Sequence, residues 1–268
     1  MFGYTIFGCT ETGLVRTRNE DHILIGRHLK NRGDLLLKLT ADDDFLQDYG
    51  FLLAVADGIG GTQGGDTASR LALLTLERHF YAMVKHQTPE AFRQALSDAI
   101  EKANHAVLQA AANHAALAGM GCTLAGIMLS RHGCWQFSSG DSRIYRCRNR
   151  MLKRLTLDDT VTERNTRLGL IDPRDSHDTD DGHTLTNWIG KERYRCSIEP
   201  LPELQHGDRL LVCTDGLHGL VDENLLGEQL GAIDTLIDQL GQRLLKQALE
   251  QGGWDNISMI LLDTKACH

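Results

Sequence analysis

Twice in this chain an apolar run stops at an Asp-Gly pair, and a third aspartate stands just before the last apolar run. Leu52-Leu53-Ala54-Val55-Ala56 leads into Asp57-Gly58-Ile59-Gly60-Gly61. Leu210-Leu211-Val212-Cys213-Thr214 leads into Asp215-Gly216, and Asp255-Asn256 precedes Ile257–Leu262. Short apolar runs bounded by turn residues read as buried strands. The glycines let the backbone turn sharply and approach closely whatever the aspartates hold. A lone carboxylate at the exit of a buried strand is costly, and a cation is its usual compensation. Glu20-Asp21 and Gly140-Asp141-Ser142 add further acids beside strands. Any one Asp-Gly is most often a turn. If the strand ends converge, the acids share one site and cannot all ionise without cations. An oxygen-only donor set selects hard ions, Mg²⁺ or Mn²⁺. A pair of such ions suits hydrolysis of a phosphate ester.

The remaining pattern predicts how those strand ends are carried. Strands are expected over residues 4–10 and 22–26. Residues 27–50 read as an irregular insert, either a hairpin extension or a surface loop. Its Asp42-Asp43-Asp44 run lacks the glycine and glutamate spacing of a calcium loop. Asp66 is expected to cap a helix from about Thr67 to His86. Thr88-Pro89-Glu90 opens a second helix, whose stripe Phe92, Leu96, Ala99, Ile100, Ala103, Val107 and Ala110 has helical spacing. The alanines in it predict a closely packed helix pair. Cys122–Leu129, Trp135–Ser138, Arg143–Arg148 and Leu152–Leu155 read as an antiparallel meander. Residues 158–195 read as a mobile, acidic flap. Asp222 is expected to cap a short helix. A longer helix over Thr235–Gln251 should turn Leu236, Ile237, Leu240, Leu244, Leu245 and Leu249 inward. Sequential strands with segregated helices predict an α+β fold, in one domain spanning residues 1–268.

Composition narrows the function. The 268 residues carry 28 basic and 36 acidic side chains, with no Lys/Arg-rich run. Nonspecific nucleic-acid binding is therefore not expected. The seven cysteines are scattered without a C-x-x-C pair, which argues against a disulfide framework or a zinc site. Several read as small buried hydrophobes in a reducing cytoplasm, with Cys267 exposed. The N-terminus has no signal-peptide pattern, and no apolar stretch is long enough to span a membrane. The glycines after Asp57 lack the spacing of a dinucleotide fingerprint, and no P-loop Gly-Lys-Ser/Thr occurs.

The motifs, taken together and in order, resemble the metal-dependent protein serine/threonine phosphatases of the PPM, or type 2C, family in its bacterial form. They are Arg16-Thr17-Arg18-Asn19-Glu20-Asp21, Val55-Ala56-Asp57-Gly58-Ile59-Gly60-Gly61, Gly121-Cys122-Thr123, Ser139-Gly140-Asp141-Ser142-Arg143, Leu155-Thr156-Leu157-Asp158-Asp159-Thr160, Cys213-Thr214-Asp215-Gly216-Leu217 and Gly253-Trp254-Asp255-Asn256-Ile257-Ser258. The resemblance implies a four-layer α-β-β-α sandwich with two central antiparallel sheets. It implies two Mn²⁺ or Mg²⁺ ions bridged by Asp57, with the Gly58 carbonyl as a further ligand. Asp215 and Asp255 would bind directly, Glu20 and Asp21 mostly through water, and Asp141 would serve a third, weaker ion. Arg16 would hold the substrate phosphate. The implied reaction is direct hydrolysis of phosphoserine or phosphothreonine by a metal-activated water, opposing a bacterial Ser/Thr kinase. The expected partners are phosphorylated proteins, and the chain is expected to act as a monomer in the cytoplasm. One position departs from the family: many eukaryotic members carry a histidine after the Asp-Gly, where this chain has Ile59. His177 and His183 are weak alternatives for the acid that protonates the leaving group. A non-catalytic module on the same fold and a hydrolase of small phosphate esters are the competing readings.

Overall fold

The computed structural model describes residues 2–82, 88–172 and 184–266. In chain order the strands are β1 (Phe2–Glu11), β2 (His22–Ile25), β3 (His28–Lys30), β4 (Gly33–Thr40), β5 (Phe51–Ala56), β6 (Gly58–Ile59), β7 (Gly121–Cys122), β8 (Leu124–Ser130), β9 (Gly133–Ser139), β10 (Arg143–Arg148), β11 (Met151–Arg154), β12 (Ser197–Leu201), β13 (Arg209–Cys213) and β14 (Ile257–Ala266). The helices are α1 (Asp44–Tyr49), α2 (Gly61–Tyr81), α3 (Pro89–Asn113), α4 (Val161–Arg167), α5 (Asp215–His218), α6 (Glu223–Gly231) and α7 (Ile237–Glu250).

Two six-stranded antiparallel sheets form the centre. One runs β11-β10-β13-β14-β1-β4 and the other β12-β9-β8-β5-β2-β3. Side-chain alternation along the strands decides the layers. In β5, Leu53 and Val55 join Ile6, Ile23, Ile127, Ile144, Leu210, Val212 and Ile260 between the sheets. Leu52, Ala54 and Ala56 face the other way, onto Ala68, Ala72, Leu73, Leu76, Phe92, Ala99 and Ala103 of α2 and α3. Leu211 and Cys213 of β13 face Leu217, Leu226, Leu240 and Leu244 of α5, α6 and α7. The result is the expected α-β-β-α sandwich. Each fully buried Leu or Ile in these three cores contributes roughly 1.5–3 kcal/mol. The alanines let α2 and α3 lie against each other. No helix among the described residues is long and apolar enough to cross a membrane.

Several local expectations need correction. The 27–50 segment is not irregular. It forms β3, β4 and α1, and β4 pairs along most of β1 as the edge strand of its sheet. Leu35, Leu37 and Leu39 alternate onto the core between the sheets, while the other face is open. The consecutive leucines hid that period of two. Asp43, from the acidic run, caps α1 by accepting from the Leu46 N–H at 3.0 Å. Helix α2 starts at Gly61, not Thr67, so Asp66 lies inside it. Gly60, at φ 120°, turns the chain into the helix. A Cβ on Gly65 would come within 2.7 Å of the Gly58 carbonyl and 2.8 Å of the Glu20 carboxyl. The glycines that disfavour a helix are what let it dock against the site. The expected end at His86 lies outside the described residues. Leu236 is exposed and precedes α7 as its N-cap rather than facing inward.

The other helix expectations hold: Thr88 caps α3 and Asp222 caps α6. The segment expected as a flap holds α4, and its far end is tied down. Leu185 pairs with Thr160 and Ile189 with Cys122, and both Asn187 and Ile189 are buried. Residues 173–183, with His177 and His183, lie outside the described residues, as does Cys267. Cys9, Cys122, Cys134, Cys147 and Cys213 are free and buried, and Cys196 is half-buried.

Candidate active site

Strand register brings the acids to one edge of the sandwich. In the β2–β5 ladder His22 faces Ala56, so one further step sets Asp21 opposite Asp57. In the β10–β13 ladder Arg143 faces Cys213, so two further steps set Asp141 opposite Asp215. Asp255 precedes β14, the neighbour of β13. The first pair leaves one sheet and the other three acids leave the second. Thr214 stitches the sheets together, its hydroxyl donating to Asp21 Oδ2 at 2.9 Å. The Ser258 N–H donates to Thr214 Oγ1 at 3.1 Å, and Ser258 Oγ donates to Thr10 Oγ1 at 2.8 Å.

A second set of bonds fixes the backbone around the acids. The Asp57 N–H donates to Thr123 Oγ1 at 3.0 Å, and the Thr123 N–H donates to the Asp57 carbonyl at 2.8 Å. Thr123 Oγ1 also meets Ser142 Oγ at 2.7 Å, next to Asp141. Asn256 donates to the Thr12 and Arg18 carbonyls and accepts from the Glu20 N–H at 2.8 Å. The loop carrying Arg16 and Glu20 is thereby held to the residue after Asp255. Thr123, Thr214, Asn256 and Ser258 lie within the recognised motifs, but only the acids, Gly58 and the arginine carried obvious chemistry.

The carboxylates perturb one another. Burial pushes Asp57 well above the usual carboxylate range, and Asp21, Asp215, Asp141 and Asp255 push it further. Burial raises Asp21 to about 8, offset in part by the Ser258 and Thr214 hydroxyls and reinforced by Asp215 and Asp255. Asp141 is raised by burial first and then by Asp215. Glu20 is raised by burial, with Arg16 acting against it. Arg16 is half exposed at the rim, its Nη2 donating to Asp255 Oδ2 at 2.7 Å. That bond, and then the fields of Asp57 and Glu20, hold its charge. All seven expected acid and arginine side chains, with Gly58, therefore belong to one neighbourhood. Ile59 pairs with Gly121 and brings no proton donor.

The donor set fits hard cations. Asp21 Oδ1 is buried with no hydrogen-bond partner among the described residues, and the mutual repulsion calls for positive charge. Among the described residues, no three His, Cys, Asp or Glu side chains close into a ready cage. Mg²⁺-like ions do not need one, since they keep several waters and take one or two carboxylates each.

A model of the family "Protein phosphatase 2C" matches residues 38–252. The chain belongs to the protein phosphatase 2C family. Its relatives include the serine/threonine protein phosphatase PstP of Mycobacterium tuberculosis, 29% identical over 95% of this chain and 44% of that protein. The serine/threonine phosphatase stp of Listeria monocytogenes is 29% identical over 95% of this chain and 93% of that protein. The chain thus spans less than half the length of the mycobacterial relatives. The crystal structure of the catalytic domain of PstP in complex with two manganese ions superposes with a TM-score of 0.78, at 25% identity. That match covers 99% of this chain and 100% of that domain. The 2C fold anticipated from the motifs is the fold of the chain.

Proposed function

We propose that this chain is a metal-dependent phosphatase that hydrolyses phosphoserine and phosphothreonine in proteins, its 268 residues forming one catalytic domain. The observation that carries the reading is the convergence of Asp21, Asp57, Asp141, Asp215 and Asp255 at one sandwich edge, beside the half-exposed Arg16 guanidinium. Asp57, with the Gly58 carbonyl, stands central to the group and would bridge two Mn²⁺ or Mg²⁺ ions. Asp215 and Asp255 would bind from the opposite sheet, Glu20 and Asp21 from the side of α2, and Asp141 would serve a third ion. The catalytic domain of PstP in complex with two manganese ions supports binding of two such ions by likeness. The chemistry such cations supply when bound is activation of a water and neutralisation of phosphoryl charge.

The chain's own contribution is positioning. The Thr123 and Thr214 hydroxyls fix the backbone and carboxylate that must meet across the two sheets. Arg16 engages Asp255 through one of its five N–H donors. Its planar fork suits a phosphate oxygen pair at the same rim. We read the substrates as proteins phosphorylated by a Ser/Thr kinase of the same cytoplasm, with the chain acting as a monomer.

The test is turnover of a phosphothreonine peptide by the purified chain with Mn²⁺. Chelator and Asp57→Asn should each abolish it, and Arg16→Ala should lower kcat/KM by roughly 30–100-fold, the scale of a charge-assisted hydrogen bond. Absence of turnover, or turnover indifferent to chelator, would refute the proposal. A preference for nucleotide or sugar phosphates over the peptide would move the chain to small-ester chemistry.

A further inference from the structure

Beside the carboxylate group lies a pocket of about 550 Å³ that the reaction does not use. Lys30, Asn31, Arg32 and Arg70 line it, with His22 and Asp66. Lys30 lies in β3, Asn31 and Arg32 make the turn into β4, and Arg70 projects from α2. Three cations thus face one carboxylate in a chain whose net charge is -8. Arg32 and Arg70 are exposed, and Lys30 Nζ donates to the Asp34 carbonyl at 2.6 Å. No ion pair satisfies Lys30, Arg32 or Arg70 among the described residues. His22 is buried on the pocket side of β2, its Nδ1 against Ser69 Oγ at 2.9 Å and its Nε2 3.8 Å from Asp66 Oδ1.

The pocket is joined to the reaction centre by covalent and hydrogen-bonded links. His22 follows Asp21 directly. Ser69 Oγ donates to the Glu20 carbonyl. Asn19 Nδ2 donates to the Asn31 carbonyl at 2.7 Å, which ties the turn carrying Arg32 to the segment carrying Glu20 and Asp21. Asp66, which lines the pocket, and Arg16 both act on the Glu20 carboxyl, so Glu20 links the pocket to the arginine that would hold the substrate. The pocket's size suits one or two side chains rather than a folded surface.

We propose that this pocket is a substrate subsite that takes an anionic side chain of the phosphoprotein, a carboxylate or a second phosphate, near the residue being dephosphorylated. The proposal rests on the phosphatase reading above. The chain's overall negative charge repels an acidic peptide, so a preference for acids must come from a local concentration of cations. Guanidinium forks on two sides of a concave site match carboxylate and phosphate oxygens.

The experiment compares kcat/KM on three phosphothreonine peptides in Mn²⁺. Their flanking positions carry glutamates, glutamines or one additional phosphoserine. The wild-type chain should prefer an acidic peptide over the glutamine peptide by roughly fivefold, the scale of partly exposed charge pairs. In Arg32→Ser/Arg70→Ser the ratio should fall to about one, and in Arg70→Glu it should invert. Lys102→Ser, an exposed charge change on α3, should keep the wild-type ratio. The glutamate and phosphoserine arms identify which anion fits better. A wild-type ratio near one overturns the subsite, as does a ratio unmoved in the double variant or equally reduced by Lys102→Ser. Failure to turn over any of the three peptides overturns the phosphatase reading and the subsite with it.

Discussion

Asp21→Asn should stabilise the metal-free protein while weakening its hold on cations. Asp21 is 1% exposed, and its carboxyl titrates at about 8 in the fold against 3.8 in an ordinary setting. Between those values the folded chain keeps a proton that the unfolded chain has released. The unfolded state then binds fewer protons, so stability falls as pH rises. The favourable contribution is intact below 3.8 and is lost as pH passes about 8. At pH 7 the cost is ~4 kcal/mol, taking 1.36 kcal/mol for each pH unit above the unfolded value. Burial is the larger cause of that cost, and Asp215 and Asp255 add a repulsion that persists between themselves without Asp21. The single substitution should therefore recover about 2 kcal/mol, or roughly 4–8 °C in Tm for a chain of this size. The asparagine oxygen can still accept from Thr214 Oγ1, and its amide supplies donors toward acids that now only repel. Urea unfolding in chelator, followed from about pH 4 to about pH 8, measures this. The variant's advantage should be absent at the acid end and grow with pH. Adding Mn²⁺ should reverse the order, because bound cations remove the repulsion only in the wild type's complete set. A variant less stable than wild type at about pH 8 in chelator, or a gain that does not depend on pH, would refute the reasoning.

Two other substitutions test the scaffold. Thr123→Val removes the acceptor of the Asp57 N–H and the partner of Ser142 in a buried setting; it should cost roughly 1–3 kcal/mol in urea unfolding and lower kcat. Arg209→Met should cost about 3–5 kcal/mol by thermal or urea unfolding, since Arg209 is 1% exposed and donates to the Ala232, Ile233 and Thr235 carbonyls. It also faces Asp263 at 3.4 Å, and a loss under about 1 kcal/mol would mean that the buried guanidinium is dispensable.

The layers of the sandwich were readable because burial leaves a local mark. β5 and the Leu210–Cys213 part of β13 are uninterrupted apolar runs, since both of their faces are covered, and the glycine after each aspartate marks where the run stops. α3 was readable from its cap and its stripe. The edge strand β4 was not, because its leucines occupy both faces and lysine interrupts them. The start of α2 was hidden for a different reason. Gly60, Gly61, Gly64 and Gly65 disfavour a helix locally, and the close approach of Gly65 to Gly58 and Glu20, with that of Gly60 and Gly64 to Met120, explains why the chain accepts three of them there. Tertiary contact overrides propensity at that point.

The site divides along the same line. Which acids stand at strand ends was legible, because apolar runs stop or begin beside them. Which of them meet was not, because the contacts are far apart in the chain. Thr214 reaches Asp21 across 193 positions, and Arg16 reaches Asp255 across 239. The first contact crosses from one sheet to the other, and beneath it β1 and β14 lie side by side in a register where Thr10 faces Ser258. The threonines and serines at those positions look like ordinary strand residues, whose β-branched or small side chains suit a pleated surface. Only register turns Thr10, Thr214 and Ser258 into one connected set of hydroxyls beneath Asp21. A one-residue slip in β14 would send Ser258 to the opposite face and break that set. The apolar residues Met259, Ile260, Leu261 and Leu262 are buried on both faces and would tolerate such a slip, whereas Asp263, opposite the buried Arg209 and 3.4 Å from it, would not. The precision of the acidic edge therefore depends on a buried ion pair at the far end of the same strand.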